Sequence, residues 1–188
     1  MAASTSDWNW GSSEQALNKI RSLVRAIPDF PKPGILFQDI MPIFKDASVV
    51  NAMIDLMVAY IEINHPEVDA IVGLDARGFL IGPMIACHLQ KSFIPVRKQG
   101  KLPGKCLSAA SVKEYGEDVL EIQADALKPG EKVVIIDDLL ATGGTLSASC
   151  QLMKAAGVEV LGCVCLIELV ELKGKEKVPA PFHAFLQY

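Results

Sequence analysis

The chain has 188 residues, of which 51% are hydrophobic and 21% charged, and its formal net charge is −4. That length suits one well-buried domain and is short for two, and the composition is that of an ordinary globular protein, not a disordered or fibrous one. The acidic balance speaks against a nucleic-acid binder, which would carry a basic stripe, so an anionic ligand would need a local site of backbone N–H groups, Lys, Arg or metal.

Residues 1–11 read as a disordered leader that carries Trp8 and Trp10, and the remainder, 12–188, as a single domain. Ser12 with Gln15 makes a capping-box pattern. Leu17, Ile20, Leu23, Val24 and Ile27 follow at helical spacing, which predicts a helix ended by Pro28. The stretch 28–34 is a stiff Pro/Gly loop, and Ile35, Leu36 and Phe37 form a short apolar run behind it. Asp46 is placed to cap a second helix with a stripe at Val49, Val50, Met53, Ile54, Met57, Val58 and Ile61.

From there strand and helix alternate. Residues 70–74 read as a buried strand, followed by the polar turn Asp75-Ala76-Arg77-Gly78 and a helix over 79–89. Strands are expected at 93–96, 132–136 and 158–167, and a helix at 145–156 closed by Gly157. Continuous apolar strands between helices predict an α/β fold: a parallel twisted sheet flanked by helices on both faces. Residues 97–128 break the pattern. They are mostly polar, interrupted by Gly100, Pro103, Gly104 and Gly116, and read as a flexible loop or hairpin that projects from the sheet as an arm.

Cys87, Cys106, Cys150, Cys163 and Cys165 are odd in number and form no C-x-x-C, so they read as reduced thiols packed like small hydrophobes. His65, His88 and His183 show no ligand spacing. The polar start is unlike a signal peptide, and no apolar run reaches 18 residues. The expected compartment is the cytoplasm, with no membrane and no nucleic-acid partner.

The segment 133–145, Val-Val-Ile-Ile-Asp-Asp-Leu-Leu-Ala-Thr-Gly-Gly-Thr, holds the most chemistry. A buried strand ends in Asp137 and Asp138, and a turn of Ala141, Thr142, Gly143 and Gly144 opens a helix at Thr145. Ligands of open α/β sheets bind beyond the carboxyl ends of the strands. Small residues let the backbone approach, and free N–H groups at a helix start make an anion site. Two carboxylates beside it can accept from hydroxyls, a pattern that suits a ribose 5-phosphate. The turn is neither a Walker A loop nor G-x-G-x-x-G. For a strand, an Asp and a turn alone, a helix cap explains the pattern equally well.

The full string resembles the phosphoribosyl pyrophosphate signature of the type I phosphoribosyltransferases. The segments 30–37, 73–79, 97–104 and 114–116, in the same order, are similar to the adenine-using branch of that family, and the similarity runs from about Arg21 to the C-terminus. The resemblance implies the family's Rossmann-like sheet, a small N-terminal hood over about 12–45, and a flexible catalytic arm over 97–128. It implies purine salvage in which the 5-phosphoribosyl group passes from phosphoribosyl pyrophosphate to adenine, giving AMP and pyrophosphate. The turn Asp75, Ala76, Arg77 and Gly78, with Arg97, Lys98 and Lys101, would face pyrophosphate; by residue type alone these are equally a surface turn and a solvated basic run. Glu114 would be the general acid/base, joined by Arg77 in catalysis, and Tyr115 a lid residue. Leu36, Phe37 and Gln38 would bind the base. Mg²⁺ is implied, held mainly by the substrate with Asp137 and Asp138 nearby and with no dedicated protein ligands, and a homodimer is implied.

Two features depart from the family. Gln38 stands where several relatives carry Arg, and 110–113 reads Ala-Ser-Val-Lys where relatives often have a Tyr and a Leu. Three alternatives stay open on the sequence: the same transfer to hypoxanthine, guanine or xanthine, a weakly active paralogue, and a non-catalytic sensor of phosphoribosyl pyrophosphate.

Overall fold

A computed structural model describes residues 13–112 and 117–188. Ser12, Trp8 and Trp10 lie outside the described residues, so the capping-box pattern is not among them. The first helix, α1 (Ser13–Leu23), buries Ala16 and Ile20, four positions apart on one face. It stops at Leu23, short of the proline. Arg25–Pro28 is a strand, β1, paired antiparallel with β2 (Leu36–Asp39), and Ile27 lies opposite Phe37. The helical spacing through Val24 and Ile27 therefore misled. A β-branched residue facing an aromatic across a hairpin gains more than a last helical turn running into proline. The connecting loop is closed by Asp29, whose Oδ1 accepts from the Gly34 N–H at 2.7 Å, and by edge-on packing of Phe30 on Phe37 at 5.1 Å.

A 3₁₀ turn (Met41–Lys45) leads to α2 (Ala47–Asn64). Asp46 caps α2 as expected: its Oδ1 accepts from the Ser48 N–H at 3.0 Å and the Ser48 hydroxyl at 2.6 Å. By length and composition alone α2 could cross a membrane, but Asp55 and Glu62 interrupt it, so it holds no uninterrupted apolar run of 18 residues. Its buried Val49, Met53, Met57 and Ile61 recur at the spacing of a core-facing stripe. The chain divides into two compact units, one ending at Met57 and the other starting at Val58.

The second unit holds β3 (Ala70–Leu74), α3 (Gly78–Leu89), β4 (Ser92–Lys98), β5 (Cys106–Val112), β6 (Glu117–Gln123), β7 (Lys132–Leu140), α4 (Gly144–Ala155), β8 (Glu159–Glu168) and β9 (Phe182–Gln187). They form one sheet in the order β5-β6-β4-β3-β7-β8-β9. The strands from β4 to β9 are parallel, and β6 and β5 extend that edge antiparallel. All of β3 is buried, as expected of a central parallel strand covered on both faces. Ala70, Val72, Leu74, Val133 and Ile135 pack with Leu146, Cys150 and Met153 of α4. The alternate positions face α3, where a Cβ on Gly73 would meet the Phe93 ring at 2.5 Å and one on Gly78 would meet the Ile136 carbonyl at 2.7 Å. Each Val, Leu or Ile so buried contributes roughly 1.5–3 kcal/mol.

The arm is a hairpin. Its root is continuous with the sheet, through Arg97 opposite Glu121 and Lys98 opposite Leu120, and Leu120 and Ile122 join the core. The strand expected at 132–136 runs on to Leu140, and β9 was not foreseen. Cys150, Cys163 and Cys165 are buried free thiols, as expected, whereas Cys87 is exposed.

Candidate active site

The ladder between β3 and β7 ends at Gly73 opposite Ile136, while β7 continues against β8 as far as Leu140 opposite Glu168. Past Ile136, β7 thus has a neighbour on one side only, and the β3–α3 turn swings away on the other. The crevice left at this carboxyl edge is a cavity of about 250 Å³, walled by residues 75–77 and 137–146.

Two ion pairs organise its rim. Arg77, at the N-terminal end of α3, donates from Nε to Asp138 Oδ2 at 2.5 Å. Asp138 is only 2% exposed, and pairing is what makes a carboxylate tolerable at that depth. Arg97, near the end of β4, donates from Nε to Asp75 Oδ2 at 3.1 Å and from Nη1 to the Lys101 carbonyl at 3.2 Å. The Asp75 N–H donates to the Val96 carbonyl at 3.1 Å, which ties the turn to β4. Asp137 takes the other face of β7, and its Oδ1 accepts from the Asp138 N–H at 2.9 Å. Burial, reinforced by the neighbouring Asp138 charge, pushes the Asp137 carboxyl well above the usual carboxylate range, with Arg77 pulling the opposite way.

The floor is the β7–α4 turn. Gly143 stands before α4 with φ +81°, a left-handed conformation that costs glycine little. It carries no side-chain cap, so the first N–H groups of α4 and the positive end of its dipole are available to an anion. Thr142 is exposed at the lip.

Of the residues singled out in the sequence, Asp75, Ala76, Arg77, Asp137, Asp138, Ala141, Thr142, Gly143, Gly144 and Thr145 come together on the cavity wall. Gly78 lies just behind, where it lets α3 approach β7. Arg97, Lys98 and Lys101 do not line the cavity, and Lys98 and Lys101 are exposed. Leu36, Phe37 and Gln38 form β2 of the first unit. Leu36 is 54% exposed, whereas Gln38 is 6% exposed and its Oε1 has no hydrogen-bond partner among the described residues. Glu114 and Tyr115 lie outside the described residues. Sequence reasoning missed Leu139, Leu140 and Leu146 in the wall, and Gly174, whose backbone abuts the turn. No local pattern around Gly174 signals that approach. Among the described residues no group of three or more His, Cys, Asp or Glu could hold a metal ion. The adjacent carboxylates of Asp137 and Asp138 are hard oxygen donors that fit a cation brought in largely coordinated by substrate. An N–H cradle, paired carboxylates and an arginine on one wall suit a ligand with both a phosphate and a diol.

Residues 47–183 match the family model of the phosphoribosyl transferase domain. The chain is 50% identical over 178 residues to adenine phosphoribosyltransferase of Rattus norvegicus and 48% identical to that of Homo sapiens, covering 94% of this chain and 99% of each relative. The structure of Saccharomyces cerevisiae adenine phosphoribosyltransferase, complexed with adenine and an imino-altritol bisphosphate, superposes with a TM-score of 0.90 at 40% identity over 92% of this chain and 99% of that one. That of the Thermoanaerobacter pseudethanolicus enzyme gives 0.88 at 43% identity, over 92% and 99%. A shared domain model, near-half identity along almost the whole length and the same sheet together make this chain a member of the phosphoribosyltransferases, in the adenine phosphoribosyltransferase family.

Proposed function

We propose that this cavity binds phosphoribosyl pyrophosphate and that the chain transfers its 5-phosphoribosyl group to adenine, giving AMP and pyrophosphate. The observation that carries the reading is the placement of Asp137, Asp138, the uncapped α4 N-terminus and Arg77 around one crevice. The choice of adenine among purines rests on relatives of that name about half identical over nearly the whole chain.

Residues 141–145 bind the 5-phosphate through backbone N–H groups and the Thr142 and Thr145 hydroxyls. Asp137 and Asp138 accept from the ribose diol. The Asp138 carboxylate also favours the cationic character that the ribose takes on as its bond to pyrophosphate breaks. Asp75, Ala76, Arg77 and Gly78 orient the pyrophosphate, Arg77 by its guanidinium fork. Arg97 acts from behind them through Asp75, and Lys98 and Lys101 add positive charge at the rim. Leu36, Phe37 and Gln38 bind the base. Glu114 holds or moves a proton at a purine ring nitrogen, and Tyr115 helps to exclude water. Mg²⁺, held mainly by substrate oxygens with Asp137 and Asp138 nearby, would neutralise the charge of the leaving pyrophosphate. The working form is a cytoplasmic homodimer; the reduced, buried thiols of Cys150, Cys163 and Cys165 suit that compartment.

Turnover with phosphoribosyl pyrophosphate, Mg²⁺ and a panel of bases tests this. Adenine should give AMP with a kcat/KM about a hundredfold or more above hypoxanthine, guanine and xanthine, because a site built for an amine leaves its groups unpaired against a carbonyl. Sugar-phosphate binding without AMP formation would remove the transferase reading.

A further inference from the structure

We propose that the corner after β8, residues 169–175, braces the phosphate turn from behind and that Gly174 is a positioning residue for the anion site at 141–145. The proposal rests on the reading of that turn as the phosphoribosyl site.

β7 and β8 stay paired to their last residues, and the Leu169 N–H extends the ladder by donating to the Leu140 carbonyl at 2.9 Å. The chain then passes through two 3₁₀ turns, Val170–Leu172 and Gly174–Lys177. This path lays Gly174 on the phosphate turn with no side chain between them. A Cβ on Gly174 would land on the Ala141 carbonyl oxygen and lie 2.9 Å from the Gly143 nitrogen. A Cβ on Gly143 would land on the Gly174 carbonyl oxygen and lie 3.0 Å from its carbon. Both surfaces are backbone, so no flexible side chain can yield. Gly143 needs glycine for its positive φ as well, but Gly174 is not among the glycines with positive φ. What demands glycine at 174 is the approach itself.

The corner is anchored in turn by the end of the chain. The Val170 N–H donates to the Tyr188 carbonyl at 2.9 Å, the Tyr188 N–H to the Glu168 carbonyl at 3.0 Å, and Gln187 Nε2 to Glu168 Oε2 at 3.2 Å. A phosphate site made of backbone N–H groups works only while those groups stay aimed, and a shift of about half an ångström is enough to degrade such a site. Gly174 sets the aim without touching the ligand.

The test compares wild type, Gly174→Ala and Gly130→Ala by calorimetry with ribose 5-phosphate and by steady-state kinetics. Gly130 lies before the other end of β7 with open space around its Cβ position and φ +88°, so its variant reports backbone strain remote from the site. Gly174→Ala should raise the ribose 5-phosphate Kd and the KM for phosphoribosyl pyrophosphate about tenfold or more, with kcat within about threefold of wild type, while Gly130→Ala binds normally. Wild-type affinity in Gly174→Ala, or equal losses in both variants, overturns the brace. Should Gly174→Ala not fold, amide exchange on wild type decides. Ribose 5-phosphate should slow exchange over 169–174, Leu169 included, together with 141–145, and slowing confined to 141–145 overturns the proposal. A wild type that does not bind ribose 5-phosphate removes the functional reading, and the brace with it; a wild type that binds beside an unaffected Gly174→Ala removes the brace alone.

Discussion

Asp137 and Asp138 are neighbours on a strand, so their side chains leave on opposite faces, and only the end of a strand that has lost one neighbour lets both reach one cavity. Their environments differ accordingly. Asp138 sits at 2% exposure against Arg77, while Asp137 carries a carboxyl that burial and the Asp138 charge hold well above its ordinary range. Asp138→Ala removes the acceptor and leaves the Arg77 guanidinium without this partner. The expected result is a loss of about ten- to a hundredfold in affinity for phosphoribosyl pyrophosphate, the worth of a charge-assisted hydrogen bond. Calorimetry checks it, and unchanged affinity takes Asp138 out of the ribose site. The pair was legible as residues because two acids beside a Gly/Thr turn are an unusual string. Which acid is deeply buried and which arginine it faces was not legible, because Arg77 and Asp138 are 61 positions apart and meet only through the β3–β7 pairing.

Elements carry the next two predictions. The β5–β6 hairpin is rooted firmly: Glu121 is buried, its Oε2 accepts from the Gly100 N–H at 3.0 Å and its Oε1 from the Ser108 hydroxyl at 3.3 Å. Glu114, the proposed proton-transfer residue, falls in sequence between these two strands. Glu114→Gln should lower kcat about a hundredfold while the KM for phosphoribosyl pyrophosphate moves little; near-normal kcat in a steady-state assay removes the glutamate from proton transfer. At the opposite edge of the sheet, His183 of β9 stacks on Tyr60 at 3.9 Å. Burial first and Lys175 second hold its imidazole below the ordinary histidine range, and burial does the same at His65. The folded state therefore takes up these protons less readily than the unfolded chain does. The associated stability is present above the ordinary histidine value of about 6.5 and lost as pH falls through the lower folded values. His183→Phe keeps a ring against Tyr60 and removes one titration, so its Tm should drop less than that of wild type between about pH 7 and pH 5; equal drops in thermal melts would show that His183 contributes nothing to acid sensitivity. β9 went unread because Phe182 to Gln187 mixes polar and aromatic residues without a clean period, as an edge strand only partly covered can.

At the scale of the molecule, the sequence by itself determined the alternation of strand and helix, the all-apolar central strands and the acidic Gly/Thr turn. Each of these is written in neighbouring residues, as periodicity, composition or a contiguous string. The tertiary structure alone decided three things. Arg25–Pro28 is a strand and not a helix end because Phe37 lies across from Ile27. β7 runs through its two acids to Leu140 because β8 accompanies it when β3 no longer does. Gly174, more than 30 positions beyond Ala141, supports the turn because a corner returns there and backbone meets backbone. Local pattern reports which face of an element seeks burial, and partner and register are settled only when the rest of the chain has taken its place.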